Sequence, residues 1–270
     1  MLHNPSHLEA VNPVAMGKAR SKQQSLRDGA FNDDQNKEFG SDVVSVLLHG
    51  DAAISGQGIN QECLMMAYMP NYEVGGTIHC VINNNIGYTT PAERGRSSRY
   101  CTDIAKSINA PVIHVNSDDP ELVELVTKLA FGYQRKFRKD IFIDITCFRR
   151  LGHNELDDPT VTNPLMYKAI RDKMSVPDAY AAKLIEEGLM TNEEVKEIAK
   201  QQFDYYNSEL QSAESYQPEK SYFKKQWEGF VQAPVDLTTY DTGISWELLS
   251  YIGRNSVHVP SDFVIHFSDC

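Results

Sequence analysis

No CxxC pair occurs among the five cysteines, Cys63, Cys80, Cys101, Cys147 and Cys270. That absence argues against a paired-thiolate zinc site, and an odd number of cysteines in mostly apolar or helical surroundings argues against a disulfide framework. Reduced, structural thiols and an intracellular compartment are the expectation. No apolar run reaches the roughly 18 residues that a membrane span needs, and the first residues are too polar for a signal peptide. Basic residues are the minority, 26 Lys and Arg against 37 Asp and Glu for a net charge of −11. With no basic face along the sequence, nucleic acid is not an expected partner. Repeats and low-complexity segments are absent too. No GxGxxG follows the first apolar run, and Ser55-Gly56-Gln57-Gly58 supplies two of the three glycines in poor register, which argues against a nicotinamide-binding Rossmann unit.

What the chain does contain is a core. Its 270 residues are 41% hydrophobic and 10% aromatic, enough for one large domain or two small ones. After a polar opening over 1–40, apolar runs rich in β-branched residues alternate with helical patterns: strands over 43–48, 77–82, 112–115 and 141–147, helices over 59–68, 102–108 and 120–137. This predicts a doubly wound α/β fold, with mostly parallel strands joined by right-handed crossovers. Ile141-Phe142-Ile143-Asp144-Ile145 is apolar enough to be buried on both faces, Asp144 excepted. Residues 164–215 read as helices, with Thr191 and Glu194 as a capping box. From 216 the pattern is irregular, with Pro218, Pro234 and Pro260 among aromatic patches at Trp227 and Trp246. The expected divisions are therefore 1–40, an α/β domain over 41–170, a helical extension over 171–215 and a connector over 216–270.

Polar clusters fall where strands should end. His49-Gly50-Asp51-Ala52-Ala53 follows the first run and Asn83-Asn84-Asn85-Ile86-Gly87 the second. The carboxyl edge of an open parallel sheet is where ligands bind. A carboxylate from one strand end and an amide oxygen from the next, Asp51 and Asn84, suit a Mg²⁺ that also takes phosphate oxygens. The small Ala52-Ala53 pair and the glycines of Ser55 to Gly58 are expected to let backbone approach a phosphate before the next helix begins. Asp, Asn and Gly after strands are also ordinary turn formers, and it is their joint spacing on consecutive strands that favours a site. His153, in Phe148-Arg149-Arg150-Leu151-Gly152-His153, should share that edge, although a histidine in a polar loop is usually solvated. Arg94 and Arg96 could pair with a carboxylate or diphosphate, or be surface charge. Asp118-Asp119-Pro120-Glu121 reads as helix capping.

These residues carry a resemblance. Gly50-Asp51-Ala52 followed by Asn83-Asn84 resembles the thiamin diphosphate fingerprint. In order along the chain, Asn4-Pro5-Ser6-His7-Leu8-Glu9-Ala10-Val11, His49 to Gly58, Asn83 to Thr90, Arg96-Ser97-Ser98, His114 to Pro120 and Gly152-His153-Asn154-Glu155 are similar to the 2-oxoglutarate dehydrogenase E1 group. The likeness covers nearly all of 4–215. Within the group, Gly17 to Ser25, Thr90 to Arg96 and Gly188-Leu189-Met190-Thr191 resemble the 2-oxoadipate dehydrogenase E1 branch.

The resemblance implies a diphosphate-binding domain with thiamin diphosphate and Mg²⁺ as cofactors. Gly50, Asp51, Ala52, Asn84, Ile86 and His153 would meet the cofactor, with Asp51, Asn84 and the Ile86 carbonyl on the metal. Strand alternation would put Asn84 and Ile86 on one side if the extended geometry persists. His7 would lie toward the 2-oxo acid, so His7 and His153 are the candidate catalytic residues. The activity implied is decarboxylation of 2-oxoadipate or 2-oxoglutarate with acyl transfer to a lipoylated E2 acyltransferase, in a homodimer of the mitochondrial matrix. That would serve lysine degradation or the tricarboxylic acid cycle. Members of the group are several times longer and supply the glutamate that activates the aminopyrimidine from a later domain. The chain is therefore expected to be a fragment, inactive alone, with Ile265 to Cys270 stopping about where that domain approaches. A non-catalytic cofactor-binding module that needs a partner chain is the alternative.

Overall fold

In the computed structural model, residues 1–3, 6–28, 40–218, 227–231, 233–236, 239 and 241–264 are described. Asn4 and Pro5 of the Asn-Pro-Ser-His motif, much of the polar opening and the final residues 265–270, Cys270 included, lie outside them. The chain divides into two compact units, Met1–Gln202 and Phe203–Cys270.

The first unit runs α1 (Val11–Leu26), β1 (Ser45–Gly50), α2 (Asp51–Gly56), α3 (Gly58–Met66) and β2 (Thr77–Asn83). A short hairpin of β3 (Ile86–Gly87) and β4 (Thr90–Pro91) follows, then α4 (Ala92–Gly95) and a 3₁₀ helix (Cys101–Ile108). The unit continues with β5 (Val112–Asn116), α5 (Pro120–Phe137), β6 (Ile141–Thr146), α6 (Pro164–Asp172) and α7 (Val176–Glu186), and α8 (Asn192–Ala213) begins in it. The main sheet is ordered β1-β2-β6-β5 and every pairing in it is parallel. The doubly wound α/β reading is correct, because each crossover carries a helix back over the sheet. In the second unit α9 (Trp246–Ser256) is capped by the Ser245 side chain, an element that the irregular reading of this region did not contain.

Two apolar layers hold the sheet. Register places Val81 opposite Asp144 and His79 opposite Phe142. Val81 and Phe142 pack with Ile54, Leu64, Cys101 and Ala105 beneath the helices that follow β1 and β4. Ile78, Ile141, Ile143 and Val115 pack on the other face against Val126 and Ala130 of α5. A fully buried aromatic such as Phe142 contributes on the order of 2–3 kcal/mol. β6 is buried on both faces as expected. β1 is not: it is an edge strand whose residues alternate, leaving Val46 and Leu48 exposed.

The opening of the chain holds the largest difference from the sequence reading, the 16-residue helix α1. Its buried positions are Asn12, Ala19 and Gln23, so an apolar stripe is lacking. Side-chain hydrogen bonds attach it instead: Asn12 Nδ2 donates to Asn60 Oδ1 at 2.8 Å, and Gln23 Nε2 to the Val74 carbonyl at 2.9 Å. Anchors of this kind leave no periodic hydrophobic trace. Capping was easier to read. Asp119 accepts from Leu122 N at 3.0 Å with Pro120 opening α5, and Thr191 and Glu194 exchange bonds at 2.7 and 3.2 Å.

A buried row of ionisable groups crosses β1 and β2. Glu9 Oε2 lies 2.7 Å from His49 Nδ1, His49 Nε2 lies 3.0 Å from His79 Nδ1, and His79 Nε2 lies 3.5 Å from Asp140 Oδ2. Burial pushes His79 below its ordinary 6.5, against the opposing pull of Asp140. Below 6.5 the unfolded chain therefore takes up a proton that the folded chain refuses, so stability is full above 6.5 and declines as pH falls toward the depressed value. Urea midpoints measured from pH 7.5 to 5.5 are expected to fall, and to fall less in His79→Gln; an equal slope in both proteins contradicts the assignment.

Among the described residues Cys63, Cys80, Cys101 and Cys147 are free thiols. Burial pushes the Cys101 thiol up to about 12, so roughly 10⁻⁴ of it is thiolate at pH 8. Peptide mapping after brief iodoacetamide treatment of folded protein is expected to find Cys101 unmodified, and full labelling only in urea. Rapid labelling of folded protein at this residue refutes its burial.

Candidate functional site

The carboxyl ends of β1, β2 and β6 share one edge because the strands run parallel. Gly50 ends β1 in extended backbone and Asp51 starts α2 at once. The expected glycine loop over Ser55 to Gly58 is thus replaced by a helical turn and a half, and an added Cβ on Gly56 or Gly58 would meet nothing within 4 Å. The close approach is elsewhere. A Cβ on Gly87 would stand 2.6 Å from the Ala52 Cβ, so glycine at 87 lets the hairpin after β2 close onto the start of α2.

Asp51 is 2% exposed. Its Oδ2 accepts from Arg96 Nη1 at 3.0 Å, with the Arg96 side chain 10% exposed. Burial raises the Asp51 pKa from its ordinary value, against the opposing pull of the Arg96 hydrogen bond and charge. The carboxylate has therefore lost water and gains more from a cation than an exposed one would. Arg94 is exposed, which leaves Arg96 as the member of that pair that reaches the edge. The thiol of Cys147, the residue after β6, is pushed up by burial first and then by the charges of Asp51 and Asp144.

The three asparagines divide their tasks. Asn83 is buried, donates through Nδ2 to Asp144 Oδ1 at 2.9 Å and accepts from Asn85 N at 3.3 Å. Asn84 is half-buried, and its Oδ1 accepts from Ile86 N at 3.3 Å. Asn85 adopts φ 60, a left-handed conformation that asparagine tolerates. Extended geometry therefore breaks between Asn84 and Ile86, and alternation does not place them on one side. An Asx turn brings them together instead. Asp144, the polar exception in β6, is 1% exposed and is held by Asn83 and by His114 Nδ1 at 2.9 Å.

His153 is exposed and meets the Tyr88 ring edge-on, with centroids 4.7 Å apart. Arg149 Nη2 donates to the Tyr88 carbonyl at 2.8 Å, tying the loop after β6 to the hairpin after β2. His153 and Cys147 also line a cleft of about 1110 Å³ together with Phe148, Arg150 and Tyr167. His7 lies before α1, exposed, with its carbonyl accepting from Ala10 N at 3.2 Å. The structure therefore brings Gly50, Asp51, Ala52, Asn84, Ile86 and His153 to one sheet edge, while His7 comes from the segment before α1.

A divalent cation is compatible with this donor set. Among the described residues no three His, Cys, Asp or Glu side chains converge on a metal position. One desolvated carboxylate, one amide oxygen and a backbone carbonyl are hard ligands for Mg²⁺, which keeps its remaining positions for water or phosphate oxygens.

Comparison with known proteins identifies the family. The sequence model described as dehydrogenase E1 component matches residues 1–221. The chain belongs to the dehydrogenase E1 component family. It is 50% identical over 266 residues to the 2-oxoadipate dehydrogenase complex component E1 of Xenopus laevis and 49% identical to that of Homo sapiens, in each case over 98% of this chain and 29% of the relative. The 2-oxoglutarate dehydrogenase E1 component of Brucella anthropi is 43% identical over 266 residues, 97% of this chain and 27% of the relative. The chain thus spans under a third of the length of these E1 relatives.

Three contributors at the edge were not assigned from sequence. Arg96 was left between ligand binding and surface charge, whereas Tyr88 and Arg149 had no part in the site. Nothing in local spacing pairs Arg96 with a carboxylate 45 positions earlier. The left-handed φ 56 at Tyr88 is likewise a property of the folded hairpin.

Proposed function

We propose that this chain carries the diphosphate-binding part of a thiamin diphosphate-dependent 2-oxo acid dehydrogenase E1 component. The reading rests on the desolvated Asp51 at the first turn of α2, on the Asx turn at Asn84 after β2, and on Gly87, which admits the close approach of that hairpin to Ala52. Asp51, the Asn84 amide oxygen and the Ile86 carbonyl would hold Mg²⁺, and Gly50 and Ala52 would border the diphosphate at the positive end of α2. Commitment of Asn83 to Asp144 supports Asn84 as the amide ligand. His153 would sit beside the diphosphate as a proton-holding group, and His7 would approach the 2-oxo acid. When bound, the cofactor supplies the electron sink for decarboxylation. The chain's own share is to neutralise the diphosphate and fix its position.

The substrate would be 2-oxoadipate or 2-oxoglutarate, the names carried by its relatives, with a lipoylated E2 acyltransferase as acceptor. A homodimer in the mitochondrial matrix is the corresponding setting, in lysine degradation or the tricarboxylic acid cycle. The divisions 1–40, 41–170, 171–215 and 216–270 would be a polar N-terminal segment, the diphosphate-binding domain, its helical extension and a connector. Titration calorimetry with thiamin diphosphate is expected to show uptake that disappears when Mg²⁺ is chelated; absence of uptake with Mg²⁺ present refutes the proposal.

A second reading is a cofactor-binding module that is not catalytic without a partner chain. Carbon dioxide release from 2-oxoadipate separates the two, since enzyme-like turnover by this chain excludes the module and uptake without turnover supports it.

A further inference from the structure

Asp144 is the only acidic residue in the four strands of the main sheet. It lies opposite His114 of β5 in register, and its Oδ2 is 2.9 Å from His114 Nδ1 while its Oδ1 accepts from Asn83. With Nδ1–H donating to the carboxylate, Nε2 is the atom that gains or loses the imidazole proton. Asn83 is neutral, so the pair of Asp144 and His114 carries −1 when the ring is neutral and nothing when it is protonated. The His114 side chain is 42% exposed against 1% for Asp144, so the ring exchanges its proton with solvent while the carboxylate stays dry.

Other charges around the ring are few. The Tyr100 ring lies with its centroid 4.5 Å away, and the Arg99 guanidinium stands over Tyr100 at 5.4 Å. Lys106 chiefly, with the Tyr100 N–H, holds the Asp103 carboxyl below its ordinary value, and the His114 charge adds to this. Asp103 and Lys106 cancel in a pair of 2.7 Å. On the opposite face α5 presents the apolar Val126 and Ala130, against Val115. Asp144 is therefore the buried charge that the ring answers to.

We infer that His114 is a positioning residue for the candidate site: acting through Asp144 and Asn83, it sets by its own protonation how strongly the sheet edge holds a divalent cation. This rests on the reading of Asp51 as a cation ligand and adds proton control from a residue outside the donor set. Two links carry it from β5 to the edge. Asp144 holds the Asn83 Nδ2, which turns the Asn83 Oδ1 toward Asn85 N at 3.3 Å and supports the left-handed Asn85 between Asn84 and Ile86. The second link is the field of the carboxylate. The Cys101 thiol, pushed up by burial first, is raised further by the charges of both Asp144 and Asp51, so the two carboxylates act on one neighbour. A neutral His114 leaves the Asp144 charge to attract a cation, and an imidazolium cancels it. By reciprocity, a bound cation makes His114 harder to protonate.

Mn²⁺ binding followed by electron paramagnetic resonance at pH 5.5 and 7.5, in wild type and in His114→Gln, tests the control. Wild-type affinity is expected to rise between the two pH values by roughly 5-fold or more beyond the rise in His114→Gln. Followed by NMR in wild type, the pH at which the His114 ring takes up its proton should move down when saturating Mg²⁺ is added. Equal pH profiles in the two proteins, or a His114 titration that Mg²⁺ does not move, overturn the inference, and loss of Mn²⁺ uptake in Asp51→Asn then leaves the cation site standing. If wild type takes up no Mn²⁺ at either pH, or Asp51→Asn keeps its uptake, the site reading falls and the inference with it. Should His114→Gln fail to fold, the wild-type NMR titration decides by itself.

Discussion

Asp51→Ala is expected to weaken thiamin diphosphate uptake in the presence of Mg²⁺ by on the order of 100-fold or more. Removing a group that merely orients a metal ligand costs 10–100-fold, and Asp51 is the candidate set's one carboxylate. The effect has to be separated from damage to the fold. Asp51 is buried against Arg96, and taking one partner from a buried ion pair costs about 3–5 kcal/mol when the other is stranded. Asp51→Asn provides the control because it keeps the volume and one oxygen acceptor for Arg96 while removing the charge. Calorimetric titration of both variants, read beside their urea midpoints, decides the matter. Uptake that survives in a folded Asp51→Asn protein removes the metal ligand from the proposal.

Gly76→Ala is expected to be the most damaging single methyl in the first unit, with a loss of about 3 kcal/mol or more. Gly76 holds φ 84, where an L side chain costs roughly 1–2 kcal/mol. An added Cβ would also stand 2.6 Å from three backbone atoms of Lys139, none of which is a flexible side-chain end. The junction it occupies carries other bonds. Thr77 N donates to Asp140 Oδ1 at 2.8 Å, and Gln134 Nε2 donates to the Gly75 carbonyl at 2.7 Å. Shifting Lys139 to admit the methyl would pull β2 and β6 out of register at their starts. Gly58→Ala is the natural comparison because its added Cβ meets nothing. Equal urea midpoints for the two variants count against this account.

The site was legible in the sequence to different depths. Asp51 and Asn84 could be picked out because each follows an apolar run, and the termini of such runs are set by local chemistry. The helix caps at Asp119 and Thr191 were readable for the same reason, being satisfied within three residues. Arg96 was ambiguous because its role depends on a carboxylate brought close by the crossover between β1 and β2. The alternation argument for Asn84 and Ile86 failed at one residue, Asn85, whose left-handed backbone replaces the strand with a turn. The family was readable from motif order alone, and the match over residues 1–221 agrees with it.

Sequence by itself determined the alternation of strand and helix, hence the parallel sheet and the edge at which polar residues gather, since hydrophobic periodicity and chain connectivity leave few other solutions. Tertiary structure alone decided how α1 is fastened, that β1 is an edge strand with one open face, that Arg96 faces Asp51, and that Tyr88 meets His153. Those outcomes depend on bonds between groups tens of residues apart, and the energy of such a bond belongs to the arrangement of two segments and leaves no mark in either one.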